Sequence, residues 1–206
     1  MLSWSITLFN VGETRVRLHP TFFLLLAIVG VSEGLRGGTA AAAHGVAFIS
    51  LLFLCVLLHE FGHVFAARRF GFKTPDVTLW PFGGVASMES MPEKPMQEII
   101  VALAGPAVNV AIALGLTAIL GARFNLADLA QLELANASMM AQVAAANVAL
   151  VVFNLIPAFP MDGGRVLRAL LAIRMGFTRA TQTAATIGQA IAVALGLLGL
   201  TGNPML

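Results

Sequence analysis

Five consecutive residues, His59-Glu60-Phe61-Gly62-His63, set two imidazoles four positions apart with a carboxylate beside the first. On a helix, side chains at i and i+4 stand one above the other on the same face, so the two histidines can grip one metal ion while Glu60 sits beside it without binding. Zinc takes imidazole nitrogen readily, and a catalytic zinc site has three protein ligands with the fourth position left to water. The ion lowers the pKa of that water to about 7, and a neighbouring carboxylate can take its proton as it attacks a carbonyl. The motif therefore predicts metal-assisted hydrolysis. The competing reading is a chance string on a buried helix, each histidine bonded to a nearby carbonyl. It is disfavoured because the motif lies in apolar sequence, where three polar groups lacking a metal or a water cavity would each cost about 2–3 kcal/mol.

A third ligand has to come from elsewhere. Of the ten carboxylates, Glu60 and Asp162 alone are flanked by apolar sequence at apparent membrane depth. Cys55 lies one turn before His59 and faces the same way, although free cysteine more often serves as a small buried hydrophobe. His19 and His44 lie at helix entries, as interface residues do. Asp162, in the stretch from Asn154 through Pro157 and Pro160 to Gly163-Gly164-Arg165, has two readings of equal weight: a metal ligand, or the N-cap of a short helix over Arg165 to Met175.

The elements that must hold these groups are set by composition. Hydrophobic residues make up 58% of the 206 positions and charged residues 11%, against roughly 25% charged in average globular chains. Charge-free stretches run Gly37 to Leu58, Ile99 to Ala122, Leu134 to Met161 and Ala180 to Leu206, and each meets the need for roughly 20 apolar residues in a spanning helix. A shorter run, Leu18 to Ser32, is the fifth candidate and has to tilt, thin the bilayer or continue past Glu33. The expected fold is thus an all-α polytopic membrane protein with about five transmembrane helices, forming one domain over residues 1–206. Helix one starts at Thr21 and is broken by Gly34, Gly37 and Gly38; helix two runs from near Ala40 to Arg69, with Gly71 as its stop. Helix three follows Pro95 and ends near Gly121; helix four runs from about Ala127 to Ile156; after the short basic helix, helix five runs from Thr178 to Leu200.

Two segments read as strand rather than helix. Ser5 to Leu18 alternates apolar and polar residues around Asn10-Val11-Gly12-Glu13, a short amphipathic hairpin at the membrane surface. Between Phe72 and Pro95, the pattern Val77, Leu79, Phe82, Val85 and Met88, broken by Pro81 and Gly83-Gly84, reads as a membrane-associated β-hairpin between helices two and three. The apolar N-terminus has no basic stretch before it and is not read as a cleaved signal. A single cysteine rules out an internal disulfide, and a surplus of two positive charges is too small to imply nucleic acid. Five crossings with the N-terminus inside put ten basic residues in the cytoplasm, leaving Arg36 and Arg123 outside. That bias places the protein in the cell membrane with the Arg69 end of helix two, and so the active site, toward the cytoplasmic side.

The whole pattern resembles the site-2 proteases, the zinc intramembrane metalloproteases, in their compact prokaryotic form without an inserted PDZ domain. The likeness rests on His59-Glu60-Phe61-Gly62-His63, on Gly105-Pro106-Ala107-Val108-Asn109, and on Asn154 through Asp162-Gly163-Gly164-Arg165. Leu18-His19-Pro20-Thr21-Phe22 and Phe82-Gly83-Gly84 extend it. The resemblance implies that His59, His63 and Asp162 hold one zinc ion, that Glu60 is the general base, and that Asn154 lines the active cleft. For Asn109 it suggests polar packing between helices. It also implies a transmembrane protein substrate, cut within or near the lipid bilayer. A substrate helix has to be unwound before its amides are available, and in lipid the released groups need partners at once. Strand addition to the segment holding Gly83, Gly84 and Val85 would supply them, the glycines letting two backbones approach closely. Relatives of this type continue past a segment like Gly199 to Leu206 into a further helix. The alternative function is a divalent-metal transporter using the same ligands; Glu60 weighs against it, since a carrier has no need of a base beside two ligands. A noncatalytic membrane chaperone is disfavoured by the intact set of four residues.

Overall fold

A computed structural model describes residues 4–81, 83–87, 94–120 and 138–202. The alternation before Pro20 becomes two antiparallel strands, β1 (Ile6–Val11) and β2 (Thr14–Leu18). The expected second hairpin is also present, as β3 (Asp76–Trp80) and β4 (Gly83–Ser87). The two hairpins are not separate. β2 pairs with β3 in parallel, giving one four-stranded sheet in the order β1-β2-β3-β4. Between them the chain makes its longest excursion, the helical run α1 (Thr21–Arg69).

Within α1, Gly37 (φ −137°, ψ 15°) and Gly38 (φ 75°, ψ −168°) leave helical geometry. Gly38 adopts a left-handed φ that only glycine takes without strain. The two arms fold back on one another: Gly30 faces Val46, Gly34 faces Ala42, and Gly45 faces Val29 and Glu33. Helices one and two are therefore a kinked pair, as expected. Gly34, however, does not break the helix: it stays helical and gives the returning arm room to pack.

Downstream lie α2 (Pro95–Leu120), α3 (Met139–Asn154), α4 (Asp162–Met175) and α5 (Phe177–Gly202). α2 packs against α1, α3 and α4, and α5 packs on α4. Part-buried Arg168, midway along α4, donates from Nε to buried Glu98 Oε1 of α2 at 2.9 Å, docking α4 against α2. The expected start of helix four, residues 127–137, lies outside the described residues. The runs in α1, α2 and α5 are long and apolar enough to cross a membrane, and α3 is a shorter apolar helix. Leu24, Ile28, Val31, Leu114, Ile119 and Val193 are exposed, as lipid-facing residues are. The fold is mostly helical and that of a multi-pass membrane protein.

One apolar core joins sheet to helix. Val16, Leu18, Val77 and Leu79, the inward alternate positions of β2 and β3, pack on Phe53, Leu57, Phe61 and Val64 of α1. Arg68 fastens the far end, donating from Nη2 to Thr14 Oγ1 at 2.6 Å. The sheet thus sits directly over the turn of α1 that carries His59 and His63.

Candidate metal centre

α1, α2 and α4 meet at a point where His59, His63 and Asp162, all buried, turn toward one another. The two Nε2 atoms are 3.0 Å apart, and each lies 3.2 Å from Asp162 Oδ2. Donors bonded to a tetrahedral zinc at about 2.0–2.1 Å lie roughly 3.3–3.4 Å apart, so this triangle has the size a single ion demands. Each imidazole is also held from behind. His59 Nδ1 meets Asn109 Oδ1 at 2.5 Å, and His63 Nδ1 meets the Val101 carbonyl at 2.7 Å. Both partners are acceptors, so Nδ1 carries the proton and the Nε2 lone pair is free to point at a cation. The donor set and its outer partners fit zinc.

Asn109 accordingly does more than pack. Its amide nitrogen donates to Asn147 Oδ1 at 2.7 Å, and Asn147 in turn donates to the Val143 carbonyl at 2.8 Å and to Cys55 Sγ at 3.3 Å. Cys55 ends this chain of amides and is not among the converging donors. Neither is His44, exposed on α1, nor His19, which stacks on Trp80. Asn147 was not singled out from sequence. Its signal was available, since it is a buried amide inside a charge-free apolar run, where a polar side chain is expensive without partners.

The competing reading of Asp162 as an N-cap does not hold. Met161 occupies the cap position and Asp162 is the first residue of α4. Gly163 and Gly164 let α4 begin against the preceding loop: a Cβ on either would strike the backbone of residues 155–159. Gly105 clears the centre itself, because a Cβ there would collide with the Nε2 atoms of both histidines. Gly62 does the same for the helix contact, since a Cβ there would lie only 2.5 Å from the Ala104 carbonyl oxygen.

Beside the triangle a cavity of about 640 Å³ opens between α1, the β3–β4 turn, the end of α3 and the start of α4. Glu60, Asn154, Gly83 and Gly84 all border it, together with Trp80 and Arg165. Asn154 donates from its side chain to the Leu150 carbonyl at 3.0 Å. Gly84 lies against Glu60, and a Cβ at that position would overlap the carboxylate stem. Glycine is therefore required there by Glu60, a reason that sequence alone did not supply. Val85 follows on β4 opposite Thr78, and Phe82 and Met88 of the same segment lie outside the described residues.

Three buried donors of metal-binding type, two on the long apolar helix α1 and one at the start of α4, define a polytopic membrane protein with a site between its helices that fits a metal ion. The sequence matches Peptidase family M50, the family of the site-2 proteases, over residues 47–126 and 120–195, and the chain belongs to it. It is 36% identical over 199 residues to a protein of Methanocaldococcus jannaschii named as a zinc metalloprotease, covering 97% of this chain and 55% of that protein. It is 28% identical over 167 residues to stage IV sporulation protein FB of Bacillus subtilis, covering 81% and 51%. The chain thus spans about half the length of the curated relatives it matches. Among solved structures it is similar to the site-2 protease of Methanocaldococcus jannaschii, with a TM-score of 0.67 and 33% identity over 96% of this chain and 87% of that one.

Proposed function

We propose that residues 1–206 act as one membrane-embedded unit, an intramembrane zinc endopeptidase that cuts transmembrane segments of membrane-anchored substrates. The observation that carries this reading is the triangle of His59 Nε2, His63 Nε2 and Asp162 Oδ2, with both imidazoles anchored through Nδ1 and Glu60 alongside. His59, His63 and Asp162 would hold one zinc ion, which when bound polarises water and the scissile carbonyl. Glu60 takes the proton of the attacking water and returns it to the amide nitrogen as the C–N bond breaks. Its burial against Gly84 keeps the carboxylate in one place, next to the strand where a substrate backbone would lie.

Recognition in this reading falls to Gly83, Gly84 and Val85. Among the described residues β4 is the last strand of the sheet, so its outer edge can accept an unwound substrate strand. Asn154 borders the same cavity and would line the active cleft. The N-terminus is cytoplasmic and the centre opens toward the cytoplasmic side, as the distribution of basic residues supports. A metal carrier would need further ligands along its path. Among the described residues, His59, His63 and Asp162 are the one group of this kind.

The test places the purified chain in liposomes with a single-span substrate and measures cleavage and zinc flux together. Zinc-dependent cleavage without flux is expected; flux without cleavage would establish the carrier instead. Orientation is checked in a Cys55→Ala background, where a cysteine at position 122 should react with an impermeant thiol reagent on intact cells and one at position 73 should not. Reversed labelling would invert the topology.

A further inference from the structure

The segment Leu18-His19-Pro20-Thr21-Phe22 takes no part in the metal centre, yet its histidine is held with care. The parallel register that pairs Leu18 with Leu79 brings His19 alongside Trp80 one step further on. Their rings stack, with centroids 3.9 Å apart and planes 15° from parallel. The His19 backbone N–H donates to the Leu79 carbonyl at 2.9 Å, and the ring Nδ1 meets Thr21 Oγ1 at 2.7 Å. Pro20 then starts α1 directly behind it. One end of the sheet and the start of the first membrane helix therefore fix the imidazole, and the imidazole fixes one face of the indole.

Trp80 also borders the cleft that holds His59, Glu60 and Gly84. It closes β3 opposite Gly83, the first residue of β4, whose outer edge is assigned to the substrate. Val56, Leu150 and Phe153 line the same space. An indole pinned on one face offers a large apolar surface with little freedom left to lose, whereas a polar side chain brought against it gives up water for nothing. We propose that Trp80 is the wall of an apolar subsite for the substrate residue beside the scissile bond, and that His19 is the positioning residue that holds this wall in place. The inference rests on the protease reading above.

The experiment uses this chain in liposomes with Trp4→Phe, which leaves Trp80 as the single tryptophan. The cut in a single-span substrate is mapped by mass spectrometry, and substrates carrying Leu, Ala or Asn next to it are compared. Wild type should favour Leu over Asn, and Trp80→Ala should shrink that preference in kcat/KM about tenfold, with zinc content unchanged. His19→Ala should shrink it about threefold and alter the emission maximum and anisotropy of Trp80, while His19→Phe, which keeps a stacking ring, should restore both. A role in folding alone would slow every substrate equally, so an unchanged Leu-to-Asn ratio in Trp80→Ala overturns the subsite. Unchanged Trp80 emission in His19→Ala overturns the positioning role. If wild type cuts no substrate, the protease reading falls and the subsite with it; cleavage with an unchanged ratio removes the subsite alone.

Discussion

The two walls of the cleft are built on opposite plans. On the helix side the two imidazoles are held from behind. Both Nδ1 atoms are bonded, Asn109 and Asn147 pass the hydrogen bonds on to backbone and thiol, and glycines remove any side chain that could crowd the triangle. On the sheet side the described residues end at β4, which pairs only with β3. An unpaired strand edge is a template for another chain, and proteins ordinarily cover or blunt one. A centre that must hold a metal and a base in one geometry gains from being closed and rigid. A site proposed to receive a backbone gains from being left unfinished, and the two proposed tasks fall on adjacent residues, with Gly84 resting on Glu60.

Breaking the helix wall should have the larger consequences. His63→Ala or Asp162→Ala should abolish both zinc binding and cleavage, read by metal analysis and by substrate cleavage in liposomes. Retention of tightly bound zinc and normal activity in Asp162→Ala would remove it from the ligand set. Glu60→Gln should keep one zinc per chain and lower the cleavage rate by about 10²–10⁴-fold, because a base is lost and no ligand. Asn109→Ala leaves all three donors in place and loosens one from behind, so zinc affinity should fall about 10–100-fold in a chelator competition. The sheet wall should give the smallest effect and the most selective one. Val85→Pro removes one N–H from β4, and cleavage should drop about tenfold with zinc content unchanged. Wild-type cleavage would reject strand addition at this segment. Gly84→Val is a poorer probe of the edge, since its side chain would strike Glu60 and so damage the opposite wall.

What could be read along the chain differed between these walls for the same reason that they are built differently. His59 and His63 lie one helical turn apart, so their spacing already fixes a common face with Glu60 beside it. The apolar runs likewise marked α1, α2 and α5, because a spanning helix satisfies its own backbone and needs only length and composition. The kink was legible in Gly37-Gly38, but the role of Gly34 was not, since its partner Ala42 belongs to the returning arm. Both hairpins were visible as alternation; their union into one sheet was not, because the β2–β3 pairing joins segments separated by the whole of α1.

By itself, then, the sequence determined a membrane protein with two histidines on one helix face and a carboxylate beside them, properties set by local periodicity and by the solvent each residue must meet. From the residues alone it left Asp162 poised between cap and ligand, gave Asn109 only a packing role, passed over Asn147 and did not show the contact of Gly84 with Glu60. The contacts these residues make appear only when α2 and α4 are packed against α1 and the sheet is laid over it. Hydrogen bonds such as Asn109 to His59, and exclusions such as Gly84 against Glu60, depend on distances between residues far apart in the chain, and those distances exist only in the folded molecule.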